Sequence, residues 1–332
     1  MNHIPNGPVA PEVSAERRAS LRAVSNEKLG RRIVRGQDRI LAAAVTDCGS
    51  KGNNQDGFVV GEGIGAMIDA MGGGAHGGDA ARVIVEAIRE DFSMPEEMPL
   101  MRAARRAAQA MEAKAKEFGF DKDRDGAVVA MARDQGDHIE GLTIGDPALF
   151  IIDLTDRKIV ERGRGQSTAD EFMAALEADD IDAALKYVLN TTDERSRDLA
   201  FEPVAAERIA TFLLNLKARN EKVVPKAYIN RLRGTLGQKV RGAPVTSAIC
   251  SGGIDQTPIT LNFPKVSGHR YLVVLCSDGV TKFLGDHEIL DACLNALNPN
   301  FAVIEINKRV QDRQGLPEYP APDHATTVAF LA

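Results

Sequence analysis

Residues 65–78 read GAMIDAMGGGAHGG. Small and apolar residues run into an aspartate, Asp69, and a glycine-rich break follows. Asp79–Phe92 (DAARVIVEAIREDF) then places its apolar residues at helical spacing. A buried strand, an acidic strand end and a helix are thus written in one stretch. An aspartate that closes an apolar strand is costly unless its charge is matched. Glycines beside it allow backbone to pass close to whatever matches it.

The same texture extends in both directions. Short apolar runs at 40–45 (ILAAAV) and 57–60 (GFVV) read as strands before it. A second helix is expected over Leu100–Phe118, ending at Gly119. Strands follow at 127–132, 138–144 and 148–153, then at 244–250, 258–263 and 271–276. Helices are expected at 286–297 and about 301–313, and the chain closes on ATTVAFLA, 325–332. Hairpins and helix pairs without βαβ regularity argue for an α+β layered fold, not a doubly wound sheet.

Composition sets the outer limits. In 332 residues, 44% hydrophobic and 27% charged content is ordinary for a folded chain and wrong for a disordered one. A net charge of −6 does not suit a general nucleic-acid binder. No apolar run approaches the roughly 20 residues that cross a bilayer, and the opening MNHIPNGPVAPEV lacks a basic-then-apolar pattern, so no signal peptide is expected. The four cysteines, at 48, 250, 276 and 293, form no CxxC pair. They read as reduced thiols, so a cytoplasmic location is expected.

Two segments depart from the main texture. Residues 1–38 hold three prolines and a net positive charge and read as a flexible basic tail, with 14–29 open to helix. Residues at about 166–243 read as a helical insertion with segregated charge. Nine acids face three bases over 166–200, and eight bases face one acid over 217–241. The basic half could attract an acidic or phosphorylated docking partner.

Four aspartates stand at strand ends or adjacent turns: Asp56 in GNNQDGF, Asp69, Asp278 in LCSDGV and Asp323 in PDHATT. Converging carboxylates repel one another unless a cation sits among them. Oxygen ligands of this kind suit Mg²⁺ or Mn²⁺.

The order of these segments resembles the metal-dependent protein phosphatase family (PPM, the phosphatase 2C type). The resemblance rests on Asp47, Gly49 and Asn54-Gln55-Asp56, on Ala66–Gly78, and on Thr143–Leu149 with Gly145 and Asp146. It rests further on Ser277-Asp278-Gly279-Val280 and on Asp323–Val328. It spans about 39–160 and 244–332. It implies a four-layer α/β/β/α sandwich with two central antiparallel sheets. It also implies phosphoserine and phosphothreonine protein substrates and two Mn²⁺ or Mg²⁺ ions. By the same resemblance Asp56, Asp69, the Ala70 carbonyl, Asp278 and Asp323 hold those ions, Asp146 matches a ligand of a third, and Lys51 stands where phosphate is gripped.

Departures from the pattern define the rival reading. Ala70 replaces a glycine, Lys51 an arginine fork, and Lys282 the aspartate expected to complete the third ion's site. His324 replaces an asparagine, and Met71 stands where many members have a proton-donating His, leaving His76 nearby. The alternative is a pseudophosphatase that keeps the fold as an interaction module. A calcium-loop look-alike at Asp121–Gly126 (DKDRDG) has Ala132 at its twelfth position and reads as a charged turn.

Overall fold

Antiparallel pairing arranges the strands of this computed structural model into two sheets. The structure describes the chain from Ser20 onward, except residues 26, 28, 38, 49–52, 72–75, 95–98, 123–124, 164, 167, 190–202, 230–231, 233–246, 255, 315 and 317–321. In the first sheet the order is β1 (Arg22–Ser25), β4 (Gly57–Gly61), β5 (Ile64–Ala70), β6 (Gly126–Asp134), β10 (Ile249–Cys250) and β11 (Gly253–Ile254). A branch leaves β6 through β7 (His138–Ile144) to β12 (Ile259–Pro264). The second sheet runs β2 (Leu29–Arg35), β3 (Ile40–Asp47), β14 (Ala325–Leu331), β13 (Tyr271–Cys276), β8 (Ala148–Asp153) and β9 (Lys158–Arg162).

Period-two alternation explains why these runs are apolar on both faces. In β13, Tyr271, Val273 and Leu275 enter the core between the sheets, with Phe58, Met67 and Phe330. Leu272, Val274 and Cys276 face outward, under α7 (Asp286–Leu294) and α8 (Pro299–Arg313). On the other side α1 (Gly77–Phe92) and α2 (Leu100–Phe118) cover the first sheet. The four layers are therefore helix, sheet, sheet, helix, as expected.

Local chemistry sets the helix ends. Gly119 takes a left-handed φ of 71° and stops α2. The Asn298 side chain accepts from the backbone N–H groups of Asn300 and Phe301 to start α8, whose first residue is Pro299. The insertion contributes α3 (Thr168–Glu177), α4 (Ile181–Leu189) and α5 (Pro203–Ala218). These share their own apolar cluster around Phe172, Leu176, Leu185 and Leu213. Of the eight bases of its basic half, Arg231, Arg233, Lys239 and Arg241 lie outside the described residues.

The basic tail expected over 1–38 is corrected in its second half. β1 pairs with β4 and β2 with β3, so residues 22–35 add an edge strand to each sheet. Val24 and Val34 are buried between the sheets, while Arg31, Arg32 and Arg35 keep the edge charged and partly wet. The charge that suggested a solvated arm is the ordinary protection of an edge. Residues 1–19 lie outside the described part. At the calcium-loop look-alike, Asp125 is buried, and its Oδ2 accepts the Asp121 N–H at 2.8 Å. It caps a turn into β6.

Candidate metal centre

The registers bring every predicted acid to one end of the sandwich. Gly57 pairs with Ile68, so the residues before β4 and at the end of β5 are neighbours. Cys276 pairs with both Ala148 and Thr327, which joins the end of β13 to the starts of β8 and β14. Asp56 and Asp69 arrive from the first sheet, Asp278 and Asp323 from the second, and Asp146 from the turn between β7 and β8. Alternation places Asp69 on the same face of β5 as Met67, toward the space between the sheets.

Asp56 is fully buried and held by an oriented chain of hydrogen bonds. Thr326 Oγ1 donates to Asp56 Oδ2 at 2.7 Å. A hydroxyl has one proton, so the 2.7 Å contact between Thr46 and Thr326 is donated by Thr46. Thr46 in turn accepts from Asn54 Nδ2 at 2.7 Å. The other Nδ2 proton goes to the Glu27 carbonyl, and Asn54 Oδ1 accepts the Asp56 N–H at 3.0 Å. The asparagine of the N-Q-D segment thus shapes the turn that delivers Asp56.

Repulsion between the carboxylates is visible in their acidity. Burial pushes Asp56 up to about 7, despite the Thr326 hydrogen bond, with Asp278 and Asp323 adding repulsion. Burial, then Asp56, Asp278, Asp146 and Asp323, hold Asp69 well above the usual carboxylate range. Asp56 Oδ1 is buried without a hydrogen-bond partner, and His324 Nδ1 stands 3.7 Å from it. This half of the site is made of hard oxygen atoms in want of positive charge, which is the chemistry of a Mg²⁺ or Mn²⁺ ligand set.

The other half is built differently. β13 ends at Ser277, whose N–H donates to the Thr326 carbonyl at 3.0 Å and whose Oγ accepts the Thr326 N–H at 2.9 Å. One short helical turn, α6 (Asp278–Thr281), follows. A Cβ at Gly279 would stand 1.6 Å from the His324 carbonyl oxygen, so only glycine lets α6 press on the start of β14. The result is that the Lys282 ammonium lies between Asp278 and Asp323, 2.5 Å from Asp323 Oδ2 and in contact with Asp278 Oδ2. Burial opposes the charge of Lys282, yet the two carboxylates hold its acidity constant above the ordinary lysine range.

The architecture has counterparts among solved structures. The PPM Ser-Thr phosphatase MsPP of Mycobacterium smegmatis aligns with a TM-score of 0.54 at 18% identity, over 87% of this chain and 97% of that one. PppA of Pseudomonas aeruginosa, described as a regulatory component of a type VI secretion system, gives 0.53 at 19%, over 94% and 100%. The catalytic domain of the phosphatase PstP, solved with two manganese ions, gives 0.52 at 17%, over 94% and 99%. The fold is that of the PPM phosphatases. No family model and no curated relative matches the chain.

Within the PPM fold the remaining expectations fall into place unevenly. Ala70 closes β5 in register with Ala127, and it is not among the residues of positive φ, so its Cβ strains nothing. Met71 packs on Val128, Ala248 and Cys250 as an apolar side chain. Asp146 joins the electrostatic cluster around Asp69, delivered by Gly145 at a φ of 86°, where a Cβ would stand 2.2 Å from Val128 Cγ1. Lys51 lies outside the described residues. His76 sits edge-on to Phe120, 3.9 Å from Asp79.

Among the described residues, the one place where three such ligand atoms lie within 4.8 Å of one another is not the aspartate centre but Asp153, Asp156 and His269. That group stands at the opposite end of β13 and β8, because Tyr271 pairs with Asp153. Asp153 Oδ1 already accepts the N–H groups of Thr155 and Asp156, and Oδ2 meets His269 Nδ1 at 2.6 Å. It is a satisfied turn. Thr46 was not singled out from sequence, and Ser277 and Thr326 entered only as members of their segments, with no role of their own, because a threonine in a strand is ordinary β-forming material.

Proposed function

We propose that the chain hydrolyses phosphoserine and phosphothreonine esters on proteins, using water as the nucleophile and Mn²⁺ or Mg²⁺ as cofactor. The observation that carries this reading is the convergence of five aspartates from both sheets at one end of the sandwich. Asp56, Asp69 and the Ala70 carbonyl would hold one cation. Asp278, with Asp323, is the family's pattern for a second, and Asp146 matches a ligand of a third. Bound divalent ions lower the pKa of a coordinated water and offset charge on the phosphoryl oxygens.

The chain's own groups have defined tasks in this reading. The Asn54–Thr46–Thr326 chain fixes Asp56 and keeps one of its oxygens occupied, leaving Oδ1 for the cation. Burial and neighbouring carboxylates disfavour the ionised forms of Asp56 and Asp69, so an arriving cation that favours them displaces any proton held there. No thiol competes as nucleophile. All four cysteines are buried, and burial pushes the Cys276 thiol above its ordinary range. Lys51 is the proposed phosphate contact, and phosphorylated proteins of the cytoplasm are the proposed substrates. The helical insertion is the proposed docking element.

One observation favours a second reading, the interaction module with little or no chemistry. Lys282 already offsets one of the two negative charges of the Asp278–Asp323 pair. Assays of p-nitrophenyl phosphate and a phosphothreonine peptide with Mn²⁺, beside Asp69→Asn, separate the two. Turnover that requires Mn²⁺ and disappears in the variant supports the enzyme. A parent without turnover on either substrate refutes it in favour of the module.

A further inference from the structure

Asp278 and Asp323 already have a cation between them. Lys282 N–H donates to the Asp278 carbonyl at 2.7 Å, so the helical turn carries the side chain back over Asp278, four residues earlier. Gly279 and the Ser277–Thr326 hydrogen bonds bring Asp323 to the same point. The lysine side chain is only 17% exposed, and its Nζ touches the Oδ2 atoms of both acids. Those contacts are charge-assisted and short.

Space and charge then exclude a second occupant. A Mg²⁺ ion shared by the same two oxygens would stand about 2.1 Å from each. Nζ already stands 2.5 Å from one of them. Ion and ammonium would overlap, and their like charges would repel at contact distance. Among the described residues no lysine or arginine is paired with Asp56 or Asp69, and the basic nitrogen recorded there is His324 Nδ1, 3.7 Å from Asp56 Oδ1.

We propose that Lys282 permanently occupies the position of one of the two divalent ions, so that the centre binds at most one, in the Asp56–Asp69 half. This rests on the reading of the five aspartates as a cation centre. The lysine is a tethered monovalent substitute whose charge cannot be removed by chelators. The expected chemistry is that of a single-cation centre with a fixed ammonium beside it.

The test is the number of Mn²⁺ ions bound by the full chain, measured by calorimetry and by electron paramagnetic resonance. The parent should take no more than one ion, with an uncoupled spectrum. Lys282→Met, which keeps length and loses charge, should take one ion more than the parent. Where the parent holds one, the variant should show the coupled spectrum of neighbouring ions. Should the Lys282→Met protein fail to fold, Lys282→Asn replaces it in the comparison. Two ions in the parent overturn the inference while leaving the cation centre standing. One ion in both proteins overturns it equally. No ion in either, with Asp69→Asn indistinguishable from both in Mn²⁺-dependent melting, overturns the inference and the cation centre together.

Discussion

Thr326→Val isolates the oriented chain that holds Asp56. Valine keeps the shape of threonine and exchanges the hydroxyl for a methyl group. Thr46, Thr326 and Asp56 are all 0% exposed, so water cannot replace what is lost. The substitution leaves Thr46 Oγ1–H without its acceptor and Asp56 Oδ2 without its donor. Each buried orphan costs about 1–3 kcal/mol, the charged one at the upper end. The expected loss is therefore about 3–5 kcal/mol at pH 8, where Asp56 is ionised. Thr46→Val should cost less, about 1–2 kcal/mol, because Thr326 still donates to Asp56 and only one Asn54 proton is stranded. The double variant should fall short of additivity by roughly 1 kcal/mol, since removing both hydroxyls removes one orphan. Urea unfolding of chelated protein, read as a midpoint shift at constant slope, measures all three. A Thr46→Val cost equal to or above that of Thr326→Val, or strict additivity, would refute the donor order.

Three further outcomes follow from the same structure. Gly279→Ala should fail to fold or lose more than about 3 kcal/mol, because the obstacle at 1.6 Å is backbone. Gly136→Ala, with open space around it at a φ of 89°, should lose only about 1–2 kcal/mol in a thermal melt. In chelated protein Asp56 has a folded pKa of about 7 against 3.8 in the unfolded chain, so its contribution is complete below pH 3.8. It is lost as pH rises through 7, and Asp56→Asn should flatten the fall of melting temperature over that window. Glu288 has the opposite sign. The Arg313 hydrogen bond lowers it to about 2 from 4.5, so its contribution is present above pH 4.5 and lost as pH falls through 2. Glu288→Gln should therefore lose less stability on acidification than the parent, by urea midpoints between pH 5 and 2.

The acids of the centre were legible because Asp56, Asp69, Asp278 and Asp323 interrupt apolar texture, where an unmatched charge is costly. The long, doubly apolar strands such as β13 were legible for the related reason that burial on both faces leaves no room for polar residues. β1, β2, β9 and the two-residue strand β11 were not, and of the strand expected at 244–250 the described part pairs only over Ile249–Cys250, as β10. Edge strands carry charge on purpose, and two residues have no periodicity to read. The spacing of Lys282 from Asp278 was visible as four residues on a turn. Its second partner, Asp323, lies 41 residues on and is brought there by the pairing of β13 with β14. Side-chain partners that depend on register are set by tertiary assembly, and the threonine chain belongs to the same class.

The segment of residues 22–35 has a practical consequence. It gives one edge strand to each sheet, and between them the Glu27 carbonyl accepts a hydrogen bond from Asn54 Nδ2 at 2.7 Å. A protein begun at residue 39, where the sequence texture changes, would be missing a seam. The exposed sides of β3 and β4 would offer bare hydrogen-bonding rows to other molecules, and the turn that presents Asp56 would lose one of its fastenings. Insolubility and weak cation binding in such a shortened protein would then share one origin. Neither defect would report on the acids themselves.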